Sequence, residues 1–107
     1  MARFLILWRR SPTAPFPTDP VEYSKFMEKT WAAIDALIKK GVIKEMGSFL
    51  DGTSGYAIGE GESIDTFRNV SMFVPYYESE VHEIIPYEKT KEIFRALMKG
   101  LITAAKK

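Results

Sequence analysis

The sequence contains no cysteine, which excludes disulfide bonds, thiolate metal sites and cysteine nucleophiles together. Histidine is almost as scarce, because His82 is the only one in 107 residues, and transition-metal sites usually need several nitrogen or sulfur ligands. The net charge is only +1 and the basic residues are scattered, so nucleic-acid binding is not indicated. The N-terminal apolar run, Phe4 to Trp8, is too short for a signal peptide or a membrane span. We therefore expect a soluble cytoplasmic protein without a metal, cofactor, nucleic-acid or membrane partner.

A glycine-rich stretch, SGYAIGEGES at residues 54–63, raises the question of a phosphate-binding loop. The dinucleotide-binding fingerprint G-x-G-x-x-G is incomplete, because Ile64 stands where the third glycine belongs, and the lysine of a P-loop is missing. Glu60 and Glu62 would also repel a phosphate. The stretch is therefore interpreted as a strand and a turn. Small residues share one face of that strand: Gly55, Ala57 and Gly59.

Apolar periodicity and turn signals predict four strands and three helices. Asp19-Pro20 marks a helix start, and Asp51-Gly52 is a strong hairpin signal. The resulting order is that of an α+β, ferredoxin-like βαββαβ fold with an additional C-terminal helix. The predicted strands cover about residues 3–9, 42–50, 54–60 and 80–86, and the predicted helices about residues 20–40, 63–74 and 88–105, in one domain of residues 1–107.

Apolar stripes predict which side of each helix is buried. In the first helix the stripe consists of Tyr23, Phe26, Met27, Thr30, Ile34, Leu37 and Ile38, with Trp31 at its edge. The second helix, with Ser63 as N-cap, has Ile64, Phe67, Val70 and Val74 on one stripe. The stripe of the third helix is unusually wide and includes Ile93, Phe94, Leu97, Met98, Leu101 and Ile102. We expect this helix to pack on its own sheet and on a neighbouring chain rather than to expose an apolar patch.

Four segments of the chain resemble the dimeric α/β-barrel superfamily: RFLILW, GVIKEMGSFLDGTSGYAIGEGES, MFVPYY and VHEIIPYEKTKEIF. The pattern is similar to that of an uncharacterised branch of short bacterial and archaeal proteins within it. The resemblance implies a ferredoxin-like fold and a dimeric α/β barrel. The superfamily includes muconolactone-isomerase-like enzymes, cofactor-free monooxygenases, haem-degrading enzymes and ligand-binding regulators, so it singles out no reaction. A homodimer, or a higher oligomer, also follows from strands that are apolar on both faces while helices cover only one.

Few residues are candidates for a functional site. His82 shares a strand face with Glu80, whose carboxylate could orient the imidazole as a general base; the alternative is a polar position near the end of an edge strand. The candidates for ligand binding are Trp8, Arg10, Tyr56 and Tyr76. The aromatic rings of Trp8, Tyr56, Tyr76 and also Tyr77 could line a pocket or belong to the core. Arg10 could meet a carboxylate or be solvated.

Two functions remain open at this point. The first is a small homodimeric protein that binds a small apolar or aromatic ligand and has no chemistry of its own. The alternative is a cofactor-independent isomerase or monooxygenase that acts on a small conjugated substrate, with His82 as the base. If Trp8, Tyr56 and His82 converge on one cavity, aromatic or conjugated acids should bind there, with Arg10 near the carboxylate.

Overall fold

The computed structural model describes residues 2–106, so the first and last residues of the predicted domain 1–107 lie outside the described part. The described residues form the order β1-α1-β2-β3-α2-β4-α3. The strands are β1 (Ala2–Arg10), β2 (Ile43–Ser48), β3 (Ser54–Gly61) and β4 (Tyr77–Ile84), and the helices are α1 (Pro20–Lys39), α2 (Ser63–Ser71) and α3 (Tyr87–Ala105). The predicted α+β class and order of elements are confirmed. The strands form one sheet of order β2-β3-β1-β4 in which neighbours are antiparallel, a roughly ferredoxin-like topology.

The first helix, α1, follows its sequence signals closely. The Asp19 side chain caps its N-terminus by accepting a hydrogen bond from the Glu22 amide at 3.1 Å, and Pro20 begins the helix. Gly41, with φ of 80°, lets the chain leave the C-terminal end. Leu37 is buried, and most of the remaining predicted stripe is half-buried. Ile38 is 46% exposed, beside Trp31 at the edge of that stripe.

The β2–β3 hairpin forms at the predicted Asp51-Gly52 turn. Gly52 has φ of 74°, a conformation that glycine adopts at low cost. The Asp51 carboxylate accepts hydrogen bonds from the Thr53 amide at 2.9 Å and the Ser54 amide at 3.1 Å. These bonds, led by that from Thr53, hold the pKa of the Asp51 carboxyl below its usual value. The turn is therefore stabilised by an ionised aspartate.

The bounds of two elements, β4 and α2, differ most from the sequence prediction. The fourth strand begins at Tyr77 and ends at Ile84, rather than covering residues 80–86, because its first residue already pairs with Arg10 of β1. Its early residues are polar, so they give no apolar signal for a strand. The second helix ends at Ser71, before the predicted residue 74, and leads into a turn that contains Pro75.

The start and the orientation of α2 also need correction. Its N-cap is Glu62 rather than Ser63, because Glu62 has extended backbone angles and its carbonyl accepts the Thr66 amide at 3.0 Å. The side of α2 that packs on the sheet contains buried Thr66 with half-buried Asn69 and Val70, and half-buried Phe73 follows in the turn after the helix. The predicted stripe is wrong, since Ile64, Phe67 and Val74 are 63–69% exposed. Thr66 tolerates burial because its hydroxyl donates to the Glu62 carbonyl at 3.1 Å.

The third helix lies apart from the rest of the chain. Within Tyr87–Ala105, all of which is described, no residue is buried. The described chain is 73 Å long with a radius of gyration of 19.4 Å, against about 13 Å for a compact protein of this length. The structure therefore does not show the expected packing of α3 on its own sheet. On its helix side the nearest strand in sequence, β4, has exposed Ser79 and Glu83 on either side of Val81, so it offers one exposed apolar side chain between two polar ones.

Candidate ligand-binding cleft

A cleft of about 450 Å³ separates α1 and α2 from the sheet. Its volume lies within the range of small-molecule sites, about 300–1,000 Å³. The walls are mainly apolar, and include Ile6, Trp8, Met27, Ile34, Val70 and Phe73. The polar groups that reach it are Arg10, Tyr23, Thr30, Asn69, Tyr77 and Ser79. An apolar cavity with a few polar groups is suited to a small, mostly apolar ligand.

The small residues of β3 make room for this cleft. Gly55, Ala57 and Gly59 are all buried on one face of the strand, as the alternation predicts, and Ala57 and Gly59 line the cleft. Gly55 has a separate role, because a Cβ at this position would overlap the Trp8 ring and the Gly47 carbonyl. The Trp8 Nε1 donates to the Tyr56 carbonyl at 3.3 Å. Glycine at position 55 therefore allows the tryptophan ring to lie against the sheet.

Arg10 lies at the end of β1, where its side chain packs against aromatic rings. Its Cζ is 4.1 Å from the centroid of the Phe16 ring and 5.4 Å from that of Tyr23. Among residues 2–106, no carboxylate lies within salt-bridge distance of this guanidinium. Cation–π contacts cover the face of the guanidinium and leave donors at its edge for hydrogen bonds. Arg10 can therefore receive an anion at this end of the cleft.

An aromatic cluster supports Arg10 from the side of the proline-rich connection. Phe16 makes edge contacts with Phe26, Tyr76 and Tyr77 at centroid distances of 5.6, 5.2 and 5.9 Å. Tyr76 and Phe26 are 4.6 Å apart. The four rings come from the proline-rich connection, from α1, from the turn before β4 and from the first residue of β4, and each such pair adds a modest stabilisation. Tyr76, which the sequence predicted as a ligand contact, belongs to this cluster and is not part of the cleft wall.

Its neighbour Tyr77 lines the cleft instead. Tyr77 pairs with Arg10 across the β1–β4 ladder, and its ring makes an edge contact with Trp8 at 5.9 Å. The hydroxyl donates to the Met27 Sδ at 3.7 Å. Burial, followed by the influence of Tyr23, raises the pKa of the Tyr77 hydroxyl, although Arg10 opposes this in part. The hydroxyl therefore stays protonated at neutral pH and can donate a hydrogen bond.

The remaining predicted site residues lie on the opposite, open face of the sheet. His82 Nε2 and Glu80 Oε2 are 2.8 Å apart, and both side chains are more than half exposed. The Tyr56 hydroxyl donates to Glu45 at 2.5 Å. On β1 their cross-strand neighbours are Leu5 and Leu7, which alternate with Trp8. The structure therefore separates Trp8 and Arg10 from Tyr56, Glu80 and His82, and the three residues expected to converge do not meet.

Sequence reasoning missed Ser79 and Asn69 as cleft residues, and it considered Tyr77 for a pocket but chose Tyr76 as the ligand contact. Tyr77 and Ser79 lie on the same face of the sheet as Arg10 because Tyr77 pairs with Arg10. No apolar alternation in the sequence revealed this pairing. Asn69 lies on the side of α2 that the apolar stripe assigned to solvent. Met27 and Thr30 could have been found, since both belong to the stripe predicted for α1.

Two further predictions from the sequence concern a phosphate-binding loop and a metal site, neither of which belongs to the cleft. Gly59, Glu60 and Gly61 belong to β3, so the interpretation of SGYAIGEGES as a strand rather than a phosphate loop is confirmed. Across residues 2–106, the structure shows no group of three or more histidine and acidic side chains placed to hold a metal ion. In the same part of the chain, none of the helices has the length and apolar character to cross a bilayer.

A comparison with protein-family models finds no match to this chain, and a search of curated proteins finds no significant relative. The resemblance to the dimeric α/β-barrel superfamily therefore has the support of the α+β topology alone.

Proposed function

We propose that the protein binds a small aromatic or otherwise apolar acid in the cleft, with the acid group at Arg10. The observation that carries this proposal is that Arg10, at the end of an apolar cleft of about 450 Å³, has no carboxylate partner among residues 2–106. An arginine that already had a carboxylate partner would offer a ligand much less. The edge of the Arg10 guanidinium can form two parallel hydrogen bonds with a carboxylate.

The walls of the cleft favour a flat, apolar body for this ligand. Trp8 and Tyr77 present aromatic surfaces, and Met27 contributes a flexible, polarisable side chain that adapts to a ring. Because Arg10 is the only charged side chain among the described residues that line the cleft, we expect dissociation constants in the micromolar to millimolar range, about −8 to −4 kcal/mol.

The finer architecture that we propose is a homodimeric barrel in which the open sheet face meets that of a second copy. Half-buried Leu5, Leu7, Tyr56 and Ile58 occupy the centre of that face. Ion pairs lie toward its two ends, between Arg3 and Glu60 at 3.2 Å and between Arg9 and Glu78 at 2.7 Å. An apolar centre with a polar rim is the usual arrangement of a protein interface.

The enzymatic alternative has weaker support. Glu80 and His82 do form a carboxylate–imidazole pair, but they lie across the sheet from the cleft and are exposed in the single chain. A substrate in the cleft would not contact His82. The alternative therefore requires a second binding place on the open face, and binding in the cleft is the better-supported function.

Titration of isotope-labelled protein with pairs of aromatic acids and their uncharged amides tests the proposal. The acids should shift the resonances of Trp8, Met27 and Tyr77, and they should bind more tightly than the amides. Arg10→Gln removes a charge-assisted hydrogen bond of about 1.5–3 kcal/mol, so it should weaken acid binding about 10- to 100-fold. Binding of the amides should change little.

Arg9→Gln is the matched control, because Arg9 is adjacent in sequence but is paired with Glu78 on the open face. This variant should leave acid binding unchanged. The proposal is wrong if nothing binds at millimolar concentration, if the shifts cluster on the open face, or if the two arginine variants weaken binding equally. His82→Ala addresses the alternative: loss of turnover with any conjugated acid would favour an enzyme, whereas unchanged behaviour would remove its only base.

A further inference from the structure

The chain exposes more surface than a compact monomer of its size. Its accessible surface is 8165 Å² for a mass of 12.2 kDa, whereas folded monomers of this mass average about 6,100 Å². The excess is about 2,000 Å². Two chains that each covered this excess would bury about 4,000 Å² in total, which is within the range of obligate homodimers.

Much of this excess belongs to α3. Six large apolar side chains of α3 are 40–63% exposed: Ile93, Phe94, Leu97, Met98, Leu101 and Ile102. At about 100° per residue they occupy about half of the helix circumference, which is wider than the contact surface of a single neighbouring helix. Most of the stability of helices in proteins comes from the packing of an apolar face rather than from intrinsic helix propensity, so α3 needs a packing surface.

Charge indicates which surface that is. Residues 87–107 contain six basic and two acidic residues, for a net charge of +4, whereas residues 1–86 contain nine basic and twelve acidic residues, for a net charge of −3. Two α3 helices would repel one another. The arm, residues 87–106, is complementary in charge to the body, residues 2–86.

We propose that α3 is an exchanged arm, whose apolar stripe packs on the body of a second copy of this chain while the second copy's arm packs on the first. The arrangement is isologous, so the arm of each chain covers exposed surface on the body of its partner, and the partner's arm covers the same surface on the first body. The contact is separate from both the ligand cleft and the pairing of open sheet faces, and it does not depend on either. It also explains why a wide apolar stripe can face away from the sheet of its own chain.

The test compares two double variants of the full-length chain, each with two glutamates on one side of α3. Leu97→Glu with Leu101→Glu charges the apolar stripe, whereas Ala96→Glu with Thr103→Glu puts the same charge on the opposite side. Sedimentation equilibrium should give the parent and the Ala96/Thr103 variant the same mass, which is twice the single-chain mass or, if the open sheet faces also pair, four times that mass. The Leu97/Leu101 variant should have half the mass of the parent. Both tryptophans, Trp8 and Trp31, lie in the body, so their fluorescence reports whether the body remains folded in each variant.

A second measurement identifies the contact even if the charged variant unfolds. The chain has no cysteine, so Lys99→Cys accepts one spin label on the polar side of α3. Spin-labelled, isotope-free chains mixed with isotope-labelled parent chains should broaden body resonances of the isotope-labelled chain. The proposal is overturned by a single-chain mass of the parent at every concentration, by a mass of the Leu97/Leu101 variant equal to that of the parent, or by broadening that requires label and isotope on the same chain.

Discussion

Arg9 and Arg10 are neighbours on β1, yet they lie on opposite faces of the sheet and in opposite circumstances. Arg9, on the open face, forms an ion pair with Glu78 at 2.7 Å, and its side chain is 71% exposed. Arg10, on the helix side, packs against Phe16 and Tyr23 and has no carboxylate partner among the described residues. Two adjacent positions of one strand therefore hold an arginine that is paired within its own chain and an arginine that is available to a ligand.

The same contrast extends to the apolar residues of the two faces. On the helix side Phe4 is 5% exposed, and it forms the small buried core together with Leu37, Ile43 and Ala57. On the open face Leu5 and Leu7 remain half-buried in a single chain. The helix side therefore contains the buried core of the chain, whereas none of the strand residues on the open face is buried in a single chain.

The largest expected effect is a difference in stability between a variant of Phe4 on the helix side and a variant of Leu5 on the open face. Phe4→Ala should lower the free energy of unfolding by about 3–5 kcal/mol, because it leaves a cavity beneath the helices. Leu5→Ala should cost less in dilute solution, since its side chain is only half-buried there. If a second copy covers the open face, the cost of Leu5→Ala should grow with protein concentration while that of Phe4→Ala does not. Urea denaturation at two concentrations measures both, and equal costs at both would contradict the contrast between the faces.

A smaller effect is expected on the strand that supports the cleft. Gly55→Ala should destabilise the protein by about 1–3 kcal/mol, because the added methyl group overlaps the Trp8 ring and a carbonyl of the neighbouring strand. Gly59→Ala is the control, because its Cβ would be 3.5 Å from the Ile6 Cδ1, an ordinary contact. Thermal unfolding compares the two variants. A midpoint that falls as far in the control would show that loss of glycine, rather than overlap with Trp8, is responsible.

The smallest expected effect concerns the hydrogen bond on the open face between Tyr56 and Glu45. This bond is the main cause that raises the pKa of the Tyr56 hydroxyl above its ordinary value of 10.0. Because the folded pKa is the higher one, its contribution to stability is fully present below pH 10.0 and is lost as the pH rises through the folded value.

Ultraviolet titration of the parent against Tyr56→Phe isolates this hydroxyl from the other tyrosines. Glu45→Gln should move its midpoint down toward 10.0, whereas Glu60→Gln should leave it in place. A midpoint that does not respond to Glu45→Gln would show that the hydrogen bond is not the cause of the shift.

Sequence patterns were informative where one local rule determined the structure. The Asp19 cap, the Asp51-Gly52 turn and the small face of β3 each depend on a few adjacent residues, and each was predictable. The parity of β1 likewise placed Trp8 and Arg10 on one face. These features require no knowledge of which elements meet.

The missed features all depend on pairings between distant segments. Tyr77 rather than Tyr76 lines the cleft because β4 pairs with β1 from Arg10 onward, a register that the polar sequence of β4 does not reveal. The apolar stripe of α2 faces outward, because packing on β3 buries Thr66 instead. The wide stripe of α3 predicted burial, but no local signal states which surface provides it.

The overlap between position 55 and the Trp8 ring has a consequence for how this chain can change by descent. A residue larger than glycine at position 55 would require both a smaller residue at position 8 and a shift of the Gly47 carbonyl on β2, so substitutions at positions 8 and 55 should be epistatic. Because Trp8 is also a wall of the cleft, such a paired change would widen the space for a ligand. The size of the ligand that the cleft admits should therefore change together with the packing of Trp8 on β1 against position 55 on β3.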